Sequence, residues 1–419
     1  MGDEMEILSI GEKIKRSRIY KGITLKDLCQ DKISMSKMSC IENNKIKPDE
    51  DILKFVAEKL DLRLEYLKQD VREQITENMA SIEKYKGEEL EQYLQFNLEH
   101  STRYGYTDLS LKIIHRLFNY YLETGKYNEV ETLIPNYYEL YQENVDVEKV
   151  YYKDMAMYFF KAEEYLEAIT YFDKLCKSSD KYNLDDNNIG QNYLYESICY
   201  SNLSLFDKAS YYINESMKNV DKISDRKIKG EVLTQYLCLK LKTANDFDEQ
   251  IFRQSCECLA EDSVLLSESY LRIAKVFSDK DNSDKFNEFI KKSFEARFPS
   301  KSYEYANYLI RCLELLIACG EIEKAENISD ETLNLAISFN DVKLIDKAYY
   351  YKAEICDNKH EERQMEMYMN LSMDALMKFG TPKQRYKRYM EMGYMYYKLQ
   401  DLQESIKYFS LANRIENKL

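Results

Sequence analysis

Apolar residues in the first seventy positions recur at helical spacing in five short stretches. The first runs from Ile10 to Tyr20, with Ile10, Ile14 and Ile19 predicted inside and Lys13, Lys15, Arg16 and Arg18 outside. Gly22 supplies a C-terminal stop, and Thr24 is the predicted N-cap of a second helix, Leu25–Gln30, that buries Leu28 and Cys29. A tight turn through Asp31–Ile33 leads to Ser34, the predicted cap of a third helix turning Met38 and Ile41 inward. Pro48 is placed at the first position of a fourth helix carrying Ile52, Leu53, Val56 and Leu60, and a short fifth helix adds Leu64 and Leu67. Beyond residue 108 the pattern changes to long amphipathic stretches that repeat. The first packing position of each second helix is read as Val130, Ala168, Ala209, Phe247, Phe286, Ala325, Met365 and Ser405, with gaps of 38, 41, 38, 39, 39, 40 and 40 residues. Phe247 is placed by spacing more than by its surroundings. The register predicts eight stacked helix pairs, because no single pair can bury its apolar face alone.

Composition narrows the fold to all-α. Among 419 residues there are only 4 Pro and 11 Gly, so little punctuates the chain for strands and turns. The 38 Tyr and absent Trp suit helix packing in which a ring is buried and its hydroxyl reaches a partner or water. The formal net charge of −14 argues against nucleic-acid binding until it is resolved by region. Residues 1–69 carry 14 Lys and Arg against 13 Asp and Glu, leaving 46 against 61 for the remainder. Within 13–47 ten basic residues face three acidic ones, Asp27, Asp31 and Glu42, so one short segment is strongly cationic on an acidic body. The 10 cysteines form no Cys-x-x-Cys, and the three histidines, His100, His115 and His360, are dispersed, which argues against a metal site. Scattered reduced thiols point to a cytoplasmic protein. The first ten residues have no signal-peptide core, and apolar stretches such as Leu313–Cys319 are too short to span a bilayer. With no Gly-rich phosphate loop, no nucleophile–base spacing and no cofactor motif, an enzyme is disfavoured.

The run from Ile10 through Arg18, then Gly22-Ile23-Thr24, then Met38-Ser39-Cys40-Ile41-Glu42-Asn43, then Pro48, resembles the XRE or phage-repressor class of helix-turn-helix domain over about residues 7–68. The resemblance implies that Arg18 pairs with Glu42 as a structural clamp, and that the third helix enters the DNA major groove. Ser36, Lys37, Ser39 and Cys40 would then face base edges or nearby phosphates, with Ser34 at the helix start and Lys26, Asn44 and Lys45 holding the backbone. Leu25 departs from the Gln usual in that family, and the turn is shorter and lacks its common Gly.

In the second part, Tyr152, Met155, Ala156, Phe159, Ala168 and Phe172 fit the tetratricopeptide pattern, as do Tyr389, Met392, Gly393, Tyr396, Ser405, Phe409 and Ala412 near the other end. The resemblance implies a right-handed superhelix of eight to nine pairs whose first helices line a concave groove. The organisation expected is therefore a helix-turn-helix over 1–69, a linker helix or degenerate repeat over 70–108, and a repeat sensor and dimerisation domain over 109–419. Together the two halves resemble the RRNPP family of Gram-positive bacteria, in particular its PlcR-like and NprR-like members. What that implies is a homodimeric quorum-sensing regulator that binds double-stranded DNA and is switched by a short signalling peptide in the groove. A peptide backbone needs side chains that donate and accept, so Asn119, Asn202 and Asn307 are candidates to hold it, with Gln191 beside them. Lys153, Arg272 and Arg311 could meet a carboxylate, and Lys112 and His115 fall on the same inward face. The alternative is a repeat-based interaction protein that sequesters a response regulator or another signalling protein.

Overall fold

The computed structural model describes residues 6–142, 148–178, 181–296 and 298–416. Among them every regular element is a helix. Contacts divide the chain into two units, Met1–Asn183 and Leu184–Leu419.

The first unit opens with the five expected short helices: α1 (Ile10–Tyr20), α2 (Leu25–Cys29), α3 (Met35–Glu42), α4 (Glu50–Leu60) and α5 (Leu64–Lys68). Their core is Ile14, Leu28, Met38, Ile41, Val56, Leu60 and Leu67, all buried; each such side chain contributes roughly 1.5–3 kcal/mol. The predicted caps form: Ser9 and Glu12 make a capping box on α1, Thr24 and Asp27 make one on α2, and Ser34 caps α3. Three details differ from the sequence-based expectation. Ile19 is 59% exposed and Lys13 is buried, the reverse of what hydropathy suggests. Five residues on from Ile14 a helix has turned well past its inner stripe, whereas Lys13 lies beside Ile14 and finds carbonyl partners for its ammonium. The fourth helix starts at Glu50 with Asp49 as its cap, two residues after the predicted Pro48. In the turn after α2, Gln30 takes the left-handed position (φ 45°) where glycine is usual.

No loose connection separates these helices from the next ones along the chain. Lys13 Nζ donates to the carbonyls of Tyr66 and Gln69 at 2.6 and 2.8 Å, closing the C-terminal end of α5. Burial lowers the Lys13 ammonium to about 8, against the pull of Asp70, Glu73 and Glu77. Leu8 and Gln74 exchange two hydrogen bonds, Leu8 N to Gln74 Oε1 at 3.2 Å and Gln74 Nε2 to Leu8 O at 2.8 Å. Tyr104 donates to Glu12 at 3.2 Å, and Ile7 inserts into the core of the helices beyond. Those helices are α6 (Val71–Ala80), α7 (Gly87–Arg103), α8 (Thr107–Glu123), α9 (Tyr127–Gln142), α10 (Glu148–Lys161) and α11 (Tyr165–Lys177). Helices α6 and α7 pack on each other across the stretch expected to be a linker or degenerate ninth pair.

The second unit holds six pairs: α12 (Asp186–Asn202) with α13 (Phe206–Lys218), α14 (Arg226–Ala244) with α15 (Glu249–Leu259), α16 (Ser263–Ser278) with α17 (Ser283–Glu295), α18 (Tyr303–Ala318) with α19 (Ile322–Ser338), α20 (Val342–Asn358) with α21 (Glu362–Phe379), and α22 (Pro382–Lys398) with α23 (Leu402–Glu416). The first helices α12, α14, α16, α18 and α20 touch in series. Seven of the eight predicted packing positions are the fourth residue of their second helix and are buried. The exception is Phe247. Ser216, Ser293 and Ser372, each seven residues after a packing position, donate to the carbonyls of Gly190, Ser267 and Asp346 at 3.2, 2.7 and 3.0 Å. The same bond in the α14–α15 pair runs from Ser255 to Gly230 at 3.0 Å, which assigns the packing position to Asp248. Helix α15 thus begins one turn late, with Asp248 as its N-cap. The Phe247 ring fills the gap, 5.5–5.8 Å from the rings of Phe252, Phe277 and Phe289. At Gly230 on α14 an added Cβ would lie 2.5 Å from Leu259 Cγ on α15, so glycine lets these two helices approach closely, and at Gly190 it would meet the end of the Ile223 side chain at 2.6 Å.

Candidate functional site

In the N-terminal helices, Arg18 and Glu42 form a two-pronged ion pair at 2.6 and 2.9 Å, and Arg18 Nη1 also donates to the Ile23 carbonyl at 3.1 Å. The clamp ties the end of α1 to the end of α3 and to the entry of α2. Gly11 packs beneath it, where a Cβ would sit 2.2 Å from the Ile41 carbonyl oxygen. Helix α3 is thereby fixed with Met38 and Ile41 inward. Its other side carries Ser36 and Lys37, both exposed, and Ser39 and Cys40, half-buried. The Ser34 hydroxyl accepts from Lys37 N at 3.2 Å, so it serves the helix start. Lys37 Nζ lies 3.6 Å from Asp49, a solvent-exposed pair with little hold on it. Lys26 and Lys45 are exposed on the flanks. Asn44 is structural, because it sits in the left-handed region (φ 58°) and its Oδ1 accepts from Gly11 N at 3.2 Å. Lys15, which sequence reasoning left unassigned, donates to Asn43 at 3.3 Å on the same edge.

The repeat helices carry two polar faces of unlike construction, both formed where successive first helices meet. In the first unit the centre is Asp154 on α10, 4% exposed and not singled out by sequence reasoning. Its Oδ2 is 2.6 Å from His115 Nδ1 and accepts from the Tyr137 hydroxyl at 2.7 Å; its Oδ1 accepts from Asn119 Nδ2 at 3.2 Å. Burial and the adjacent Asp154 carboxylate push the Tyr137 phenol far above its usual range. Asn119 Nδ2 also donates to the His115 carbonyl at 2.9 Å, which leaves the amide oxygen as the part of Asn119 that a ligand could meet. Lys153 is half-buried, Lys112 is exposed, and neither makes an ion pair among the described residues.

The second unit has a ladder of side chains eighteen and fourteen residues ahead of the packing positions Ala209, Phe286 and Ala325: Gln191 and Tyr195, Glu268 and Arg272, Asn307 and Arg311. On α14 the corresponding side chains are Glu231 and Gln235, one residue nearer their own packing position. Gln235 Nε2 donates to Ser201 and Ser197 at 3.0 and 3.2 Å, while its oxygen accepts from Arg272. Arg311 pairs with Glu268. Both arginines expected to meet a ligand carboxylate are therefore already engaged by neighbouring helices. Burial raises the Glu231 carboxyl above its ordinary value, with Arg272 opposing. Asn202 and Asn307 donate to the carbonyls of Ile198 and Tyr303 on their own helices, at 3.0 and 3.2 Å. Further along, Arg388 is enclosed: it reaches Asp346 at 2.9 Å and Glu391 at 3.0 Å, and its guanidinium stacks 4.7 Å over the Tyr350 ring. Asp154, Gln235 and Glu231 were missed because acids and amides at inward positions look, in sequence, like any other solvated helix face. The available signal was register: Asp154 stands fourteen residues before Ala168, as Arg272 does before Phe286.

All ten cysteines are free thiols, no group of three metal-ligating side chains occurs among the described residues, and no described helix is long and apolar enough to cross a membrane. No protein-family model matches the sequence, and no curated protein does. Solved structures similar to this chain include the apo form of the quorum sensor NprR from B. thuringiensis, with a TM-score of 0.48 and 12% identity over 83% of this chain and 98% of that one. PlcR of Bacillus thuringiensis, in complex with the peptide PapR7 and DNA, gives 0.32 and 14% over 67% of this chain and 99% of its own. Aspartyl phosphate phosphatase F of Bacillus subtilis gives 0.40 and 14% over 99% and 96%.

Proposed function

We propose that this chain is a peptide-responsive transcription regulator of the RRNPP type, acting as a homodimer in the cytoplasm. Residues 1–69 read double-stranded DNA, and a peptide held on the first helices of the repeats alters how the two readers of a dimer are set. The observation that carries the reading is the state of α3. Its inner side is locked by the Arg18–Glu42 clamp, and its outer side presents Ser36 and Lys37 to solvent on the cationic segment of an otherwise acidic chain. A rigid helix with a short-side-chained, positively charged outer face can approach base edges closely while lysines on its flanks neutralise phosphates. Short serines discriminate bases weakly, so half-site spacing and DNA shape supply much of the selectivity. A ligand shifts such a regulator tenfold with about 1.4 kcal/mol of differential binding, which a few hydrogen bonds supply.

The test is a gel shift with duplex DNA from upstream of the encoding gene. Expected is a salt-sensitive complex that weakens at least tenfold in the double variant Ser36→Glu and Lys37→Glu, with helix content unchanged. Binding that survives the double change would remove α3 from the interface, and no complex at low salt would overturn the DNA reading.

A further inference from the structure

We propose that the Asp154–His115 pair of the first unit is the seat for the terminal carboxylate of a peptide, an inference that rests on the peptide-responsive reading above. A buried carboxylate needs partners, and Asp154 has three: His115, Asn119 and Tyr137, at 2.6, 3.2 and 2.7 Å. Tyr137 is fully buried, so its bond is structural. The other two are held by Asp154 in fixed poses at the surface. With Nδ1–H facing Asp154 the imidazole tautomer and ring plane are set, and Nε2 is directed away from the carboxylate on a side chain that is 45% exposed. A second proton taken by the ring must go to Nε2. The charged ring then stands between two carboxylates, one buried in the protein and one belonging to the guest.

Three further observations favour an anion with an adjoining N–H. Lys153 occupies the same register position in its repeat as His115 does in the one before, fifteen residues ahead of the packing position, and makes no ion pair among the described residues. Lys112, one turn before His115 on α8, is likewise without an ion pair among them. Arg116, the other cation of that stretch, is already held by Glu83 at 2.5 Å. Asn119 Nδ2 is occupied by Asp154 and by the His115 carbonyl, so its Oδ1 is left to accept the last peptide N–H. A C-terminal residue has a carboxylate and an N–H in that arrangement, and an internal peptide unit does not. Arg272 and Arg311 of the second unit offer no equivalent, because Arg272 already donates to the Gln235 amide oxygen and Arg311 is paired with Glu268.

The probe is a synthetic library of random heptapeptides made twice, once with free C-termini and once as C-terminal amides, applied to the immobilised full chain and quantified by mass spectrometry. Expected is at least tenfold greater retention of the free acids. That preference should fall to near unity in His115→Asn and Asp154→Asn and persist in Arg311→Met. Because the protein has only 3 histidines, the retained acids should also shift one assignable imidazole signal, lost in His115→Asn, and leave the other two in place. Equal retention of acids and amides by the unchanged protein overturns the carboxylate seat while the peptide reading stands. A preference undiminished in His115→Asn overturns it too. Retention of neither library overturns both readings.

Discussion

The two polar faces share a repeat and a register and differ in how they settle their charge. In the first unit one buried carboxylate, Asp154, orients a histidine and an amide toward solvent, and two lysines nearby remain unmatched among the described residues. In the second unit the cations are engaged from neighbouring helices, Arg272 by the Gln235 amide oxygen, Arg311 by Glu268 and Arg388 by Asp346, with Glu391 adding a pair to Arg388 on its own helix. The lesson is that inward-facing charge in a helical repeat does two distinct jobs. Paired, it fixes the stacking of one first helix on the next. Unpaired beside a buried counter-charge, it is a place where something else can bind.

Four substitutions sharpen that contrast. The largest effect is expected at Arg388, whose side chain is 10% exposed beside Asp346 at 8%. Arg388→Met leaves a buried carboxylate without its cation and should destabilise the second unit by about 3–5 kcal/mol. Hydrogen exchange should locate the loss in α20, α21 and α22 and leave α7 to α10 protected. A change spread evenly over both units would show that the network is not local. An intermediate effect is expected in the pH response. Lys13 has a native value of about 8, below its ordinary 10.5, so the folded chain binds fewer protons between those values and is stabilised by this group as pH rises through them. Urea titrations of Lys13→Met should lack that rise. Glu231 is shifted up from 4.5, so the folded form holds extra protons just above that pH. Its contribution is fullest in acid and is lost as pH climbs through the raised value, and Glu231→Gln should flatten this part of the curve. The smallest effect is expected at Arg311, half-exposed in its pair with Glu268. Arg311→Met should cost under about 1 kcal/mol. A larger loss measured by thermal melting would mean that exposed rungs of the ladder also carry load.

Much of the architecture was legible because helix periodicity and capping are local. The chain announced Thr24 and Ser34 as starts and Gly22 as a stop, and seven packing positions kept register because each must be buried under the next pair. Phe247 slipped by one residue because α15 lacks its first turn, and spacing cannot see a missing turn that a phenylalanine ring replaces. Lys13 and Ile19 exchanged places for a related reason: hydropathy ranks a lysine as outside until two carbonyls at a helix end claim it. The polar faces were the least legible part. Arg272 and Arg311 stand on the expected first helices, yet whether each is available depends on a partner some forty residues away, and that was not visible from spacing; Asn202 and Asn307 stand there too and turn back to carbonyls of their own helices. Asp154 illustrates the converse, since its importance comes from what surrounds it.

The seam around Lys13 bears on mechanics. An ammonium gripping two carbonyls, a glutamine stitched to Leu8 and a phenol on Glu12 leave the first helix little compliance relative to α6 and α7. A small tilt of α7 would therefore carry α1, and with it the outer edge of α3, where a tethered head on a slack strand would dissipate it as thermal wobble.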